Sequence, residues 1–507
     1  LVDSAIARNS LREVVGPERF SEEYIERLVT SHDLAPLPKL GVLAFKLMPD
    51  VVVHPKEPEE VAEIVRVANS WDLPITPRGG ASWGFGGAVP NKGGVLIDMT
   101  SMNRILHLDE EKGIVRVQPG VVWNMLDEWI QRKGYFLPYY PSSAPGATIG
   151  GWISTGGVGI GNYKYGAARD NVRSLQIVLP SGGILDTAHL ADSRHPSQFD
   201  LTSLFIGAEG SLGIVTSVDL QVYPKPEEFR VVSYSFPDMD SAYGALTRIT
   251  ETKEKPYHVG FVDDNYFRFL RAMGREAPEV GGMVNLAFEG PKARVEEELK
   301  VFDGVISSAN GKRESEETAL HEWAERSYEL RSKKLGTGAV IGEALIPIDR
   351  AAVVARETIE LVSRMKMNLA VNGILVDRST VAFLPFYLTD ERRWIKSVSS
   401  LSFIKKFLDI ANSYGGRPVG LGLFMANNLH SMRDNNTVEL LRYIKDTVDP
   451  KGRINGGKTV RMVTRYGIGI GPGLFRFGMD ALALVKRIFP RDKYDRSIPG
   501  GFPGGEH

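Results

Sequence analysis

The spacing of apolar residues divides the chain into two stretches of different rhythm. In the first, short β-branched runs alternate with glycine-rich segments. Residues 50–54 (DVVVH) read as a strand ended by Pro55. Val61, Ile64, Val65 and Ala68 then recur at helical spacing behind acidic residues, which predicts an amphipathic helix over 57–71. A second short strand at 73–76 completes a βαβ beginning. Further strands are expected at 94–98, 114–118, 175–179 and 213–222, with helices near 121–133 and 198–206. This stretch is therefore α/β or α+β with a mixed sheet.

The rhythm changes after Pro224-Lys-Pro226. Strand-like runs at 230–236, 283–288, 339–348 and 374–385 alternate with amphipathic helices at 241–252, 291–310, 350–365 and 399–413. That alternation predicts a second domain, an open sheet with helices on one face. Near the end, Leu474, Phe475, Gly478, Leu482, Val485 and Phe489 form an apolar stripe flanked by Arg476, Lys486 and Arg487. Such a helix packs on its own body, docks a redox partner subunit, or lies on a membrane surface.

Composition narrows the function classes. Among 507 residues, 61 basic side chains face 62 acidic ones, so no global field draws nucleic acid to the chain. There is no cysteine, which excludes disulfides, thiolate catalysis, cysteine-ligated metal clusters and a flavin attached through sulfur. No apolar run reaches the ~18 residues that span a bilayer. The first residues, LVDSAIARNSLREVVG, lack a basic region followed by an apolar run, so a cytoplasmic protein is expected, or one peripheral to a membrane through the tail.

Three glycine-rich segments carry the chemistry. PRGGASWGFGGA (77–88) follows a strand, and its successive amides can form a concave anion site. It matches neither a P-loop nor a G-x-G-x-x-G fingerprint. PSSAPGATIGGWISTGGVG (141–159) adds short hydroxyls at Thr148, Ser154 and Thr155. GAEGSLGIVT (207–216) feeds directly into a strand.

In this order and spacing the three segments resemble the vanillyl-alcohol oxidase/p-cresol methylhydroxylase family of FAD proteins. The run DPKGRINGGK (449–458) is similar to the C-terminal segment of its D-lactate dehydrogenase/glycolate oxidase branch. The resemblance implies an α+β protein. A two-part FAD-binding domain of the p-cresol methylhydroxylase (PCMH) type, with an inserted antiparallel-sheet cap domain, is expected. The boundaries expected are 1–49 for a helical lead-in, 50–226 for the FAD-binding domain, 227–440 for the cap, 441–464 for the returning segment and 465–507 for the tail.

The resemblance also implies roles. Arg78, Gly79, Gly80, Ala81, Ser82 and Ser142 would hold the pyrophosphate and ribityl region, and Pro77, Gly86, Ala88 and Pro141 would also bind the cofactor. Thr148, Ile149, Gly150, Gly151, Ser154, Thr155, Gly157 and Val158 would line the flavin and adenosine. Glu209, Gly213, Ile214 and Val215 would contact the adenine side, and Asn455 would close the site. Ser82 stands where some members attach FAD through histidine, so noncovalent FAD is expected.

The activity implied is oxidation of a small hydroxy acid of the D-lactate or glycolate class, with electrons passed to a quinone, an electron-transfer protein or a partner subunit. Other substrates of the same fold stay open, namely an alkylglycerone-phosphate synthase-like reaction or a phenol, sugar or lactone. So does a flavin-carrying electron-transfer subunit. A hydroxy acid needs a cation for its carboxylate and a base for its hydroxyl proton. Arg331, then Arg326, in WAERSYELR (323–331) are the cation candidates. His430, at the end of GLGLFMANNLH (420–430), is the base candidate, with Tyr387, Tyr163 and Tyr165 as phenols. The branch carries two histidines near this segment, whereas Leu423 stands in place of the first. No metal is therefore expected.

Overall fold

The computed structural model describes residues 5–35, 41–190, 199–328, 335, 338–389, 399 and 401–488. Two compact units emerge. One comprises Leu1–Val158, Ala167–Pro224 and Gly420–Phe475; the other comprises Gly159–Gly166, Lys225–Val419 and Arg476–His507. The short loop Gly159–Gly166 thus groups with the second unit, although its sequence neighbours lie in the first.

Among the described residues the first unit holds two small sheets and a two-stranded pair, Tyr135–Phe136 with Tyr223–Pro224. Strands Val51–Val53 and Ile75–Arg78 both pair parallel with Val95–Asp98. The helix Pro58–Ser70 joins the first two and buries Val61, Ile64, Val65 and Ala68, the apolar positions of the sequence pattern. Its proline at the first turn and Glu59–Glu60 behind it suit a helix start. The second sheet is antiparallel. Its central strand, Ile214–Gln221, pairs with Ile114–Val117 on one side and Val172–Val178 on the other. Trp123, Tyr139 and Trp152 pack edge-on and stacked within the core against that sheet.

The second unit is one antiparallel sheet with helices. Its central order runs Glu228–Phe236, Gly282–Gly290, His258–Asp263, Leu369–Leu375, Thr380–Thr389, Ala344–Pro347. Directly paired residues share a face, so the register sorts the side chains. Phe261, paired with Gly373 and through it Phe383, lies on the helix-covered face. There Phe261 meets Tyr243, Phe288 meets Phe302, and Phe383 stacks on Phe407. These partners come from the helices Met239–Glu251, Lys292–Ser307 and Ser402–Ser413.

The opposite face, covered in part by the helix Asp264–Ala272, is different in chemistry. Ser233 pairs with Asn285, Asn285 with Gly260, and Val262 with Asn372, so Ser233, Asn285 and Asn372 share it with His258. A polar patch at the centre of a buried sheet is costly unless the groups are used.

The strand His258–Asp263 and the helix Asp264–Ala272 after it were not anticipated. The expected strands at 339–348 and 374–385 are each two strands, broken at Gly342 and at the Asp377-Arg378-Ser379 turn. Gly342 has no room for a side chain: a Cβ there would lie 2.7 Å from Phe407.

Candidate functional site

Four segments converge in the first unit. The Gly80 amide donates to Thr148 Oγ1 at 3.3 Å, and Ser82 Oγ lies 3.3 Å from Ser143 Oγ. The first and second glycine segments are therefore in contact. Ser143, rather than the neighbouring Ser142, meets the loop. The second and third segments meet where the Gly207 amide donates to Ile153 O and the Glu209 amide to Ser154 O. The C-terminal return closes the ring. The Asn455 amide donates to Ile75 O, and its side chain donates to Glu209 O at 2.7 Å and Gly87 O at 3.2 Å.

Close approach explains the glycines. A Cβ on Gly79 would sit 2.4 Å from Thr148 Oγ1, and one on Gly80 would sit 2.1 Å from Gly146 O. Thr148 also caps the short helix Ile149–Ser154 by accepting from Gly151 N. Backbone strain concentrates here as well. Of seven non-glycine residues with positive φ among the described ones, four are Ala81, Glu209, Asn455 and Thr459. Strain of that kind persists where surrounding structure enforces it for a purpose. Ala81 is left-handed after Gly79 and Gly80, and a glycine loop of this kind can form an anion site suited to a pyrophosphate. The residues present fit an FAD.

Other expected contacts take different places. Arg78 donates to His32 O at 2.7 Å, so it braces the loop. Thr155 Oγ1 is turned back to Trp152 O, and Val158 O accepts from Trp152 Nε1. Ile214 and Val215 send their side chains into the core, which leaves only their backbones for a ligand. Pro141 is buried and Ser142 exposed. The Glu209 carboxylate is taken by two backbone amides, Leu421 N at 2.6 Å and Gly422 N at 2.7 Å.

Lys458 was missed by sequence reasoning, although the GGK run displayed it. It is buried and donates to Gly87 O at 2.9 Å and Asn455 Oδ1 at 2.5 Å. Burial pushes the Glu209 carboxyl up to about 7 and the Lys458 ammonium down to about 7, each partly offset by the other's charge. Asp33, buried nearby, is raised by the same desolvation. Asp449 and Lys445 lock the returning segment: Lys445 Nζ reaches Asp449, Ser211 O and Ile454 O.

The substrate-side candidates separate. Arg331 lies outside the described residues. Tyr387 is paired with Leu369 and packs edge-on against Phe403, on the helix-covered face. It is a core tyrosine there because the register of its strand points it away from the polar patch. His430 Nε2 is bonded to Arg442 Nη2 at 2.7 Å, which makes the imidazole an acceptor already in use. Burial and that guanidinium both lower its pKa. Leu423 sits in an apolar cluster with Ala426 and Met462. Among the described residues, no group of three or more His, Asp or Glu comes together to hold a metal.

In the second unit, Arg326 lies 4.3 Å over the Trp323 ring, and Trp323 packs on Phe229, Tyr257 and His258. His258 is buried, and its Nδ1 has no hydrogen-bond partner. Burial, then the Arg326 charge, hold it down to about 3, so it is neutral. Tyr165 donates to Glu289 Oε1 at 2.7 Å and Lys164 pairs with the same oxygen at 2.5 Å. Tyr163 is pushed up to about 12 by burial. The Tyr163 phenol is therefore protonated.

Known proteins share this architecture. Residues 49–188 match the family model described as FAD binding domain, and residues 225–459 match FAD linked oxidases, C-terminal domain. The glycolate oxidase subunit GlcD of Bacillus subtilis is 28% identical over 462 residues, covering 89% of this chain and 96% of that protein. The mitochondrial D-lactate dehydrogenase [cytochrome] of Arabidopsis thaliana is 30% identical over 431 residues, covering 82% of this chain and 74% of that protein. The chain belongs to the FAD-linked oxidase family. Its fold is that of the PCMH type: a solved p-cresol methylhydroxylase with substrate bound superposes with a TM-score of 0.78 at 17% identity, covering 91% of this chain and 97% of the other. This FAD-linked oxidase is accordingly an FAD-dependent oxidoreductase of the glycolate oxidase/D-lactate dehydrogenase type. No helix among its described residues is long and apolar enough to cross a membrane.

Proposed function

We propose that this FAD-linked oxidase dehydrogenates a small 2-hydroxy acid of the D-lactate or glycolate class, holding FAD noncovalently. The observation that carries the reading is the polar face of the second unit's sheet. On that face Ser233, Asn285, Asn372 and His258 lie with Ser235 and Glu289 among apolar residues, and Trp323, which packs on His258, carries the guanidinium of Arg326 over its ring. A carboxylate needs a fixed cation, and Arg326, held flat on Trp323, supplies one with little freedom left to lose. Half-buried Asn285, whose Oδ1 accepts from Ser233 at 2.6 Å, presents its amide to orient a hydroxyl or carboxylate. Neutral His258 can accept or donate a hydrogen bond there without adding charge.

FAD, when bound, supplies the acceptor for the hydride that leaves the carbon bearing the hydroxyl. The glycine segments of the first unit hold it: the 79–82 nest takes the pyrophosphate, and Asn455 and Lys458 brace the wall from the C-terminal side. Ser82 offers no imidazole for a covalent link. Electrons then pass to a quinone, an electron-transfer protein or a partner subunit.

The test is anaerobic mixing of the FAD-loaded protein with a panel of 2-hydroxy acids, their enantiomers, phenols and sugars. Bleaching of the oxidised-flavin absorbance by one hydroxy acid, with release of its 2-oxo acid, supports the reading. Bleaching only by a phenol or sugar would replace the substrate class. No bleaching by any organic donor, with reduction by a protein donor instead, would make the chain a flavin-carrying electron-transfer subunit.

A further inference from the structure

The helix Pro472–Ile488 lies beyond the matched family segment, which ends at residue 459. Its two faces are unlike each other. Ala483 and Lys486 are buried, and Asp480 pairs with Lys406 at 2.5 Å, so that side is anchored. Leu474, Phe477, Leu484 and Ile488 point outward, with 67, 74, 63 and 76% of their surface in solvent. With exposed Ala481 they recur at spacings of three and four, a continuous apolar stripe along the helix. This differs from the stripe the sequence pattern suggested: Leu482 and Val485 are half-buried instead.

Several occupants could cover such a stripe, and charge separates them. Arg476 and Arg487 stand near its two ends and are exposed, and the acidic Asp480 is paired with Lys406 while also feeling the Arg476 charge. A second copy would bring arginine toward arginine. In an antiparallel pairing Arg476 falls near Arg487, which sets like charges beside the seam. Exposed apolar side chains on a helix that also exposes two arginines suit an interfacial helix on an anionic bilayer.

We propose that this helix docks the protein on an anionic lipid surface, with Leu474, Phe477, Leu484 and Ile488 entering the acyl boundary and Arg476 and Arg487 meeting lipid phosphates. The chain's net charge of -1 gives no general attraction, so binding is local to this helix. The inference goes beyond the proposed reaction and does not rest on it. It would set the flavoprotein where a lipid-dissolved electron acceptor is concentrated.

The test is co-sedimentation of the full-length, FAD-loaded protein with phosphatidylcholine vesicles, with and without phosphatidylglycerol. The parent is expected to pellet with the phosphatidylglycerol vesicles and less so as salt rises. Phe477→Ser with Leu484→Ser, and separately Arg476→Gln with Arg487→Gln, are each expected to lower the partition at least about tenfold. Melting temperature and bound FAD should stay unchanged, because all four side chains are exposed. Equal pelleting on both vesicle types, or equal pelleting of parent and variants, would overturn the proposal. A self-associated parent that the Phe477/Leu484 variant turns into monomer would overturn it in favour of a second copy.

Discussion

The Glu209 carboxylate accepts the Gly422 amide at 2.7 Å across 213 residues of sequence, and the Leu421 amide at 2.6 Å beside it. One buried side chain thereby ties the third glycine segment to the start of Gly420–Phe475, the C-terminal part of the same unit. The tie is tight elsewhere too: a Cβ on Gly422 would sit 2.3 Å from Phe85 O, and one on Gly420 2.1 Å from Trp83. Glu209→Gln keeps the shape but sets an NH2 against one of the two amides. That leaves a buried donor unsatisfied, at a cost of about 1–3 kcal/mol. Chemical denaturation should show that loss, together with weaker FAD retention on a desalting column. A variant as stable as the parent would mean the amides find water.

Glu209 and Lys458 should also shape stability against pH. The folded carboxyl titrates at about 7 instead of its ordinary 4.5. Between those values the folded chain holds a proton that the unfolded chain has released, so stability falls as pH rises through the window. Lys458 titrates at about 7 instead of its ordinary 10.5. Between those values the unfolded chain holds the extra proton, so stability rises with pH. The two contributions place a trough near pH 7. Thermal melts across pH should find the falling limb flattened in Glu209→Gln and the rising limb flattened in Lys458→Met. A single optimum near neutrality in all three proteins would refute the pairing.

Gly80 offers a direct probe of the cofactor cradle. An alanine Cβ would lie 2.1 Å from Gly146 O, a backbone atom that cannot swing aside. The loop must move, and the amides beside it lose their aim. Gly80→Ala should weaken FAD binding at least about tenfold, roughly 1.4 kcal/mol, while far-ultraviolet circular dichroism stays unchanged. Flavin titration followed by fluorescence measures it. Unaltered affinity would remove this loop from the cofactor site.

The cofactor side was legible in the sequence because glycine runs in a fixed order leave a local signature. The helix over 57–71 was legible for a similar reason: its apolar period and acidic first turn agree with its burial. The polar sheet face was not legible. Ser233, Asn285, His258 and Asn372 are scattered over 139 positions and meet only through strand register, which no local pattern encodes. Tyr387 misled for the same reason, since one step of register decides which face a side chain takes. Glu209 lies where the glycine segments meet, but nothing local announced that its partners are backbone amides 212 and 213 residues away.

His258 ties acid sensitivity to the proposed substrate face. Its folded value of about 3 lies below its ordinary 6.5, so the unfolded chain binds a proton the folded chain refuses. Stability from this group is full above about pH 6.5 and is lost as pH falls toward about 3. His258→Asn should therefore lessen the acid-side fall in melting temperature. It should also cut kcat/KM by about a hundredfold, a scale usual for a lost positioned polar group at a reacting centre. Smaller acid sensitivity with undiminished kcat/KM would leave His258 structural only.

The complementary case is His430, the base suggested by its place after Asn428-Leu429. Its Nε2 already accepts from Arg442 at 2.7 Å, so it is not poised to take a proton. Protonating it would also bring a second positive charge against that guanidinium. His430→Gln preserves an acceptor for Arg442 and should hold kcat/KM within about tenfold of the parent, well short of the loss expected for a removed general base. Tyr387→Phe should change kcat/KM by less than about twofold, since its ring packs on Phe403 in the helix-covered layer. Steady-state assays with the acid that bleaches the flavin decide both. A loss of about a thousandfold in His430→Gln at unchanged melting temperature would restore the imidazole as the base.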